Sequence, residues 1–172
     1  PQQERLKKQI SQREKLYRIM ALASGWFQNQ LNSQSGKLAL DYLKNSRNLL
    51  EGTLLSFNLG YAPDKWDSLL NYFVNVENYS EEILEAAGLI LPRKKGSGFY
   101  DRFRGRVIVP IFDRQKRVIA FGGRSLDGSE PKYLNSPETE IFHKSKNLFG
   151  YEKASNSIRN KDCAVIVEGY FD

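Results

Sequence analysis

The sequence predicts a fold of the α/β class, in which a helical first half is followed by an antiparallel or mixed sheet. Three observations support this prediction. Apolar residues recur at helical spacing through the first half, β-branched residues concentrate at 106–113 and 117–122, and an apolar run at 162–168 ends on a carboxylate. We expect three parts along the chain: an N-terminal helix with its linker at 1–34, a core subdomain at 35–160, and the first strand of another domain at 161–172.

The longest amphipathic pattern lies at the N-terminus. Its apolar members recur at steps of 3, 4 or 7, and Lys, Arg and Gln occupy the other side. The members are Leu6, Ile10, Tyr17, Met20, Ala23, Phe27 and Leu31. This spacing predicts one long helix whose apolar stripe packs on the body. After a break at 32–36, the pattern indicates two further helices, one around Tyr42 and one around Leu54.

Residues 58–63 predict a short strand that ends at a proline. We place an N-cap at Asp64 and expect the next helix to turn its apolar residues inward. Those residues are Trp66, Leu69, Leu70 and Phe73. Another helix is predicted after Ser80, and Gly88 is suited to end it.

The character of the chain changes from Pro92 onward. Residues 93–98 form a basic, flexible loop, and the β-rich runs on either side of 114–116 predict a hairpin. Pro110 lacks an N–H group, so the first strand should lie at a sheet edge or carry a bulge there. The run at 162–168 predicts a buried strand.

The positive charge is concentrated in one region. The chain has a formal net charge of +6, and residues 93–132 carry eleven Lys and Arg against four Asp and Glu, a local charge of +7. Such a surface suits a polyanion, either nucleic acid or nucleotide phosphate. The alternative is a well-solvated basic face without a ligand.

The composition excludes several classes of site. Cys163 and His143 are the only residues of their types, so this chain alone can form neither a disulfide framework nor a Cys/His zinc site. No run approaches the roughly 18 apolar residues of a membrane span, and the first residues have no signal-peptide pattern. We therefore expect a cytoplasmic protein without a membrane partner.

Two carboxylates follow the last predicted strand. Glu168 comes directly after an apolar run, at the end of a strand where open α/β sheets gather their active sites, and Gly169 lets the backbone turn. Asp172 could face the same metal ion, and such a pair suits Mg²⁺. The alternative is that Glu168 only terminates the strand.

Cations and one amide lie between the glycines and prolines of 122–124, 131–139 and 141–144. Lys and Arg in such loops can neutralise phosphates. Residues 135–138 are also compatible with an ordinary helix N-terminus.

Short motifs occur in a characteristic order from about Leu38 to the end of the chain. They are 59–63 (LGYAP), 66–67 (WD), 100–106 (YDRFRGR), 121–124 (FGGR), 131–139 (PKYLNSPET), 141–144 (IFHK) and 168–172 (EGYFD). Together they resemble the bacterial DnaG-type primase. An ordered series of motifs is much more specific than any one of them.

The resemblance implies a primase-core subdomain with a basic groove, running into a Toprim domain whose first strand ends in a metal-site glutamate. It implies nucleotide binding by Lys132 and Lys144. The template path for single-stranded DNA would include Arg47, Arg102, Arg104, Arg124, Asn135 and Tyr170. Glu168 and Asp172 would be catalytic acids beside Mg²⁺ or Mn²⁺.

The resemblance further implies a DNA-directed RNA polymerase of the primosome, which makes short RNA primers from NTPs at the replication fork. The segment alone should be inactive, because the family completes its metal site with a later Asp-x-Asp pair. Zinc would belong to an upstream module, and the replicative helicase would bind a C-terminal domain. The alternatives are another Toprim enzyme, such as a phage primase-helicase, topoisomerase-like protein or nuclease, and a non-catalytic nucleic-acid-binding module.

Overall fold

A computed structural model describes residues 2–171, without the side chains of residues 2, 5, 6 and 8. Its helices are α1 (Gln2–Leu31), α2 (Lys37–Asp41), α3 (Glu51–Ser56), α4 (Ser68–Asn75), α5 (Glu81–Ala86) and α6 (Tyr151–Lys161). Short 3₁₀ turns lie at Gln34–Gly36 and Lys144–Lys146, and a π-helical turn at Tyr42–Ser46 continues α2. The strands are β1 (Gly60–Ala62), β2 (Ile90–Pro92), β3 (Phe99–Asp101), β4 (Arg106–Phe112), β5 (Val118–Ser125) and β6 (Tyr133–Asn135).

The main sheet has four antiparallel strands in the order β1-β4-β5-β6, and β2 pairs with β3 in a separate hairpin. The predicted combination of a helical first half with an antiparallel or mixed sheet is confirmed, as is the hairpin formed by β4 and β5. Pro110 lies beyond the reach of β1, which pairs only with residues 106–108, and the register shifts between Ile111 and Phe112. Beyond β1, one side of β4 has no partner strand among the described residues, and the bulge lies next to Pro110. The missing N–H of Pro110 is therefore accommodated.

Helix α1 packs on one face of the main sheet. Its buried side chains begin at Leu16, whereas Ile10, which the stripe predicted to be covered, is 53% exposed. The helix approaches β1 closely, because a Cβ on Gly60 would lie only 2.6 Å from the Cβ of Phe27. Phe27, Phe103 and Phe121 meet edge to face in this core.

A second apolar cluster covers the opposite face of the sheet. Alternation along β4 turns Val107 and Val109 toward it, where they pack with Leu43 and Leu54 from the helical segment. Tyr170, near the end of the described chain, packs against the same cluster. The site described below lies on this face.

The N-terminus of α4 differs from the sequence prediction. The helix begins at Ser68, not after Asp64, and its N-cap residue Asp67 makes no side-chain capping bond. The carboxylate of Asp101 caps it instead, accepting the N–H groups of Leu69 at 2.8 Å and Leu70 at 3.0 Å.

Trp66 was predicted to face inward, but it is 59% exposed. It precedes α4, so the helical periodicity used to orient it does not apply. The prediction is correct for Leu69, Leu70 and Phe73, which are buried.

The predicted buried strand at 162–168 is absent, and Val165 and Ile166 are 87% and 83% exposed. A strand forms by pairing its N–H and C=O groups with a neighbour, and within residues 2–171 no strand lies beside this segment. The alternative helix start at 135–138 is also wrong, since β6 ends there and Thr139 bridges to Phe142. Across the described residues, every helix is too short or too polar to cross a membrane.

Candidate nucleic-acid interface

The register of β5 and β6 places predicted site residues on one face of the sheet. Arg124 lies opposite Tyr133, and Gly122 lies opposite Asn135. Directly opposed residues of an antiparallel pair share a face, as do residues two apart on one strand. All four therefore point toward the second apolar cluster.

Arg124 is held by two phenols. Its Nε donates to the Tyr42 hydroxyl, and its Nη1 donates to the Tyr133 hydroxyl at 2.6 Å. The guanidinium carbon also lies 5.5 and 5.1 Å from the two ring centroids, within cation–π range. Arg47 reaches the same Tyr42 hydroxyl through its Nε at 2.6 Å. The fold thus brings together Arg47 and Arg124, which the sequence separates by 77 positions.

Tyr170 is positioned over the bare backbone of β5. A Cβ on Gly122 would lie 2.6–2.8 Å from atoms of the Tyr170 ring, so only glycine permits this contact. The Tyr170 hydroxyl donates to Asn135 Oδ1 at 2.8 Å, and burial raises the pKa of this phenol. Gly123 is equally close to a ring on the other face, where its Cβ would lie 2.8 Å from Phe103.

Arg102 anchors Asn135 from the backbone side. Its Nε and Nη2 donate to the Asn135 carbonyl oxygen at 3.2 and 2.8 Å. Burial lowers the pKa of this guanidinium. The predicted site residue Arg102 therefore fixes the position of another predicted site residue.

Arg104 lies on an aromatic platform. Its guanidinium carbon is 4.5 Å from the ring centroid of Trp66 and 5.0 Å from that of Tyr100, and it donates to the Asp101 carbonyl. With Arg102 and Arg106 it lines a concavity of about 340 Å³.

The three guanidiniums of this concavity form no ion pair within the part of the chain that the structure describes. Three carboxylates, Asp64, Asp127 and Glu130, line the same space, and Asp127 and Glu130 attract Arg106 electrostatically. The formal charges of the lining residues therefore balance, and the guanidiniums are held close to acids without direct ion pairs.

Lys132 and Lys144 are both exposed, and neither side chain makes a hydrogen bond or ion pair with residues 2–171. Lys132 directly precedes β6, and Lys144 begins a 3₁₀ turn. Glu138 orders that turn, because its carboxylate accepts the Lys144 N–H at 2.8 Å and contacts His143 Nδ1 at 2.9 Å. The hydrogen bond from the Lys144 N–H lowers the pKa of Glu138, and the contact with His143 lowers it by a smaller amount.

Glu168 is exposed and borders a cavity of about 460 Å³, together with Tyr133, Asn135 and Tyr170. It is the only carboxylate among the described residues that line the cavity. Asp172, the second predicted metal ligand, lies outside the described residues. Within residues 2–171, no three His, Cys, Asp or Glu side chains stand close enough to hold a metal ion. The described chain therefore offers one carboxylate ligand.

Sequence reasoning missed Tyr42, Tyr133 and Trp66 as members of this site. Tyr42 was assigned to a helix stripe, but its hydroxyl is the point at which two arginines meet. Its partner Arg124 is 82 positions away, so no local pattern could reveal the contact. Trp66 carried a weaker signal, since a tryptophan next to a helix start and near basic motifs suits a stacking surface.

Comparisons with known proteins identify the family of this chain. Residues 26–155 match the family model described as DNA primase catalytic core, N-terminal domain. The chain is 49% identical over 171 residues to a DNA primase of Synechococcus elongatus. The matched region covers 99% of this chain and 25% of that protein. The chain thus spans about a quarter of the length of this curated relative.

Solved structures give the same result. The RNA polymerase domain of Mycobacterium tuberculosis primase DnaG has a TM-score of 0.83 at 35% identity, covering 92% of this chain and 51% of that one. A DnaG primase catalytic domain described as bound to ssDNA has a TM-score of 0.78 at 40% identity, covering 86% and 45%. The predicted resemblance is confirmed, and the chain belongs to the family of N-terminal domains of the bacterial DNA primase catalytic core.

Proposed function

We propose that this chain supplies the template- and nucleotide-binding part of a replicative primase, a DNA-directed RNA polymerase that makes short RNA primers on single-stranded DNA. The observation that supports this most is the set of Arg47, Arg124, Tyr133 and Tyr170 on one face of the sheet, next to the cavity at Glu168. A similar solved primase domain is described as bound to ssDNA.

Single-stranded DNA requires two kinds of contact. Arginines attract the phosphates, and exposed aromatic rings stack on bases without reading their sequence. Arg124 with Tyr133, and Arg104 with Trp66, each pair a guanidinium with an aromatic ring. Arg102 and Tyr170 hold Asn135 from its carbonyl and its side chain, so this amide is fixed in position to contact the strand. These residues position the template but do not choose a start site.

Incoming nucleotides bring a triphosphate, which Lys132 and Lys144 are suited to meet. Both ammonium groups are exposed and unpaired within the described chain. A lysine offers a compact charge that can follow a phosphate as it moves. We assign these two side chains to the triphosphate, while the Glu138 carboxylate orders the turn that carries Lys144.

Glu168 fits one position in the coordination of Mg²⁺ or Mn²⁺. Its carboxylate is exposed, borders the cavity and makes no hydrogen bond within residues 2–171, so both oxygens are available. Mg²⁺ is commonly held by one or two carboxylates together with water and substrate phosphates. When bound, the ion would stabilise negative charge on the reacting phosphates. Asp172 is proposed as the second ligand.

Binding of a labelled oligo-dT to this chain tests the template surface. Affinity should fall as salt rises, because bound phosphates release counterions. Arg124→Ala and Arg47→Ala should each weaken binding about tenfold, the scale of a charge-assisted hydrogen bond. Arg159→Ala, an exposed arginine of α6, is the matched control and should have little effect. Equal affinities for all four proteins would place the template elsewhere.

Glu168→Gln in the full-length protein tests the catalytic assignment. The change is nearly isosteric and removes only the charge, so primer synthesis should be lost while oligonucleotide affinity and melting temperature are retained. Near-parental synthesis by the folded variant would remove Glu168 from the metal site. It would favour the alternative of a domain that binds nucleic acid without contributing to catalysis.

The remaining expectations of the family resemblance are also proposals for the full-length protein. They are a zinc-binding module upstream, a helicase-binding domain downstream, and cytoplasmic action at the replication fork. Chelation of zinc should leave oligo-dT binding by this chain unchanged, since its single Cys163 and single His143 cannot form a zinc site.

A further inference from the structure

The Tyr42 hydroxyl occupies an unusual position between two cations. It accepts the Nε–H of Arg47 at 2.6 Å and the Nε–H of Arg124. Tyr42 opens the π-helical turn, Arg47 follows that turn, and Arg124 comes from β5. Single π-helical turns often occur at functional sites, since they shift the side chains around them.

The hydrogen-bonding capacity of this oxygen is only partly filled. A phenol has two lone pairs and one O–H donor, and here both lone pairs accept from guanidinium groups. Within residues 2–171 the O–H finds no acceptor at hydrogen-bonding distance. The hydrogen is therefore left to a partner, and beside two cations the favoured partner is an anionic oxygen.

The neutral phenol also explains how two arginines can share one acceptor without losing their charge. A carboxylate in this place would orient both guanidiniums but neutralise one of them and repel phosphate. Tyr42 orients both and adds no negative charge between them. Arg124 has no ion pair within the described chain, and its Nη2 remains available after Nε and Nη1 have bound the two phenols.

We propose that Tyr42 is a phosphate ligand and positioning residue of the template surface. Its hydroxyl fixes the spacing of Arg47 and Arg124 and donates its own hydrogen to a phosphate oxygen of the single-stranded DNA. This inference rests on the proposed function, because it assigns a further contact to the same surface.

Tyr42→Phe tests the inference, since it removes one oxygen and keeps the ring that packs in the second apolar cluster. Oligo-dT affinity should fall about tenfold. The slope of log affinity against log salt should be unchanged, because both arginines keep their charge. Arg124→Ala should instead reduce the slope by about 0.7, the value for one phosphate contact on a single strand.

Tyr79→Phe is the matched control, because the Tyr79 hydroxyl makes no hydrogen bond within the described chain, and its affinity should match the parent. Unchanged affinity of Tyr42→Phe would overturn the inference while leaving the proposed function intact. A reduced salt slope, or a melting temperature more than about 4 °C below the parent, would also overturn it by assigning the hydroxyl to structure. If the parent itself shows no salt-dependent binding, the proposed function fails instead.

Discussion

Replacing Asp101 by asparagine should change how the stability of this chain depends on pH. The Asp101 side chain is only 3% exposed, and its two oxygens accept the N–H groups that begin helix α4. Burial raises the pKa of this carboxyl to about 6, against the lowering effect of the Leu69 and Leu70 N–H groups. Asp67 raises the pKa further, and Arg104 lowers it.

The sign and size follow from linkage between protonation and folding. The folded chain holds the Asp101 proton more tightly than the unfolded chain, in which the pKa is near its ordinary value of 3.8. This contribution to the free energy of unfolding is therefore complete below about pH 3.8 and is lost as the pH rises through about 6. The interval between the two pKa values corresponds to about 3 kcal/mol.

Urea denaturation of the parent and of Asp101→Asn, followed by the fluorescence of Trp26 and Trp66, measures the effect between about pH 4 and about pH 7.5. Asparagine does not titrate. As the pH falls, the free energy of unfolding of the parent should therefore rise relative to that of the variant by up to about 3 kcal/mol. The amide can accept only one of the two N–H groups, which lowers the stability of the variant at every pH. A difference between the two proteins that stays constant with pH would refute the reasoning.

Two further predictions concern the sheet and its loop. Gly122→Ala would place a Cβ 2.6–2.8 Å from the Tyr170 ring, so urea denaturation should show a loss of about 1–3 kcal/mol. Gly52→Ala, which meets no atom within 4 Å in helix α3, is the control and should gain up to about 1 kcal/mol; equal effects would contradict the contact. The Asp127 carboxylate accepts hydrogen bonds from the Ser129 N–H, which has the largest effect, and from the Ser129 and Ser125 hydroxyls, and these bonds lower its pKa to about 2. An NMR titration of its carboxyl carbon should give a midpoint near that value, and a midpoint near 3.8 would count against those bonds.

The sequence was most informative where structure depends on neighbouring residues. The stripe from Met20 to Leu31 predicted a buried helix face correctly, because spacing along one element determines which side chains share a face. The β-rich runs on either side of 114–116 likewise predicted the hairpin of β4 and β5. The hairpin of β2 and β3 was missed. Its strands have three residues each, too few for an alternating pattern to stand out.

Contacts between residues far apart in the sequence could not be predicted from local patterns. Asp101 caps α4 across 31 and 32 positions, and Tyr42 meets Arg124 across 82, so neither contact leaves a trace in local spacing. The apolar run at 162–168 has strand composition, but a strand also needs a partner, which residues 2–171 do not provide. The family resemblance, in contrast, brought Arg47, Arg124 and Asn135 into one hypothesis, and they do lie on one surface.

The adjacent glycines of β5 have a consequence for how substitutions would be tolerated. Tyr170 lies against Gly122 on one face and Phe103 lies against Gly123 on the other, so a single thickness of backbone separates the buried core from the proposed template surface. In a library selected for folding alone, both positions should retain glycine, although for unrelated reasons. Substitutions of Tyr170 to smaller residues should then release Gly122 but not Gly123, which would separate the demands of the interface from those of the core.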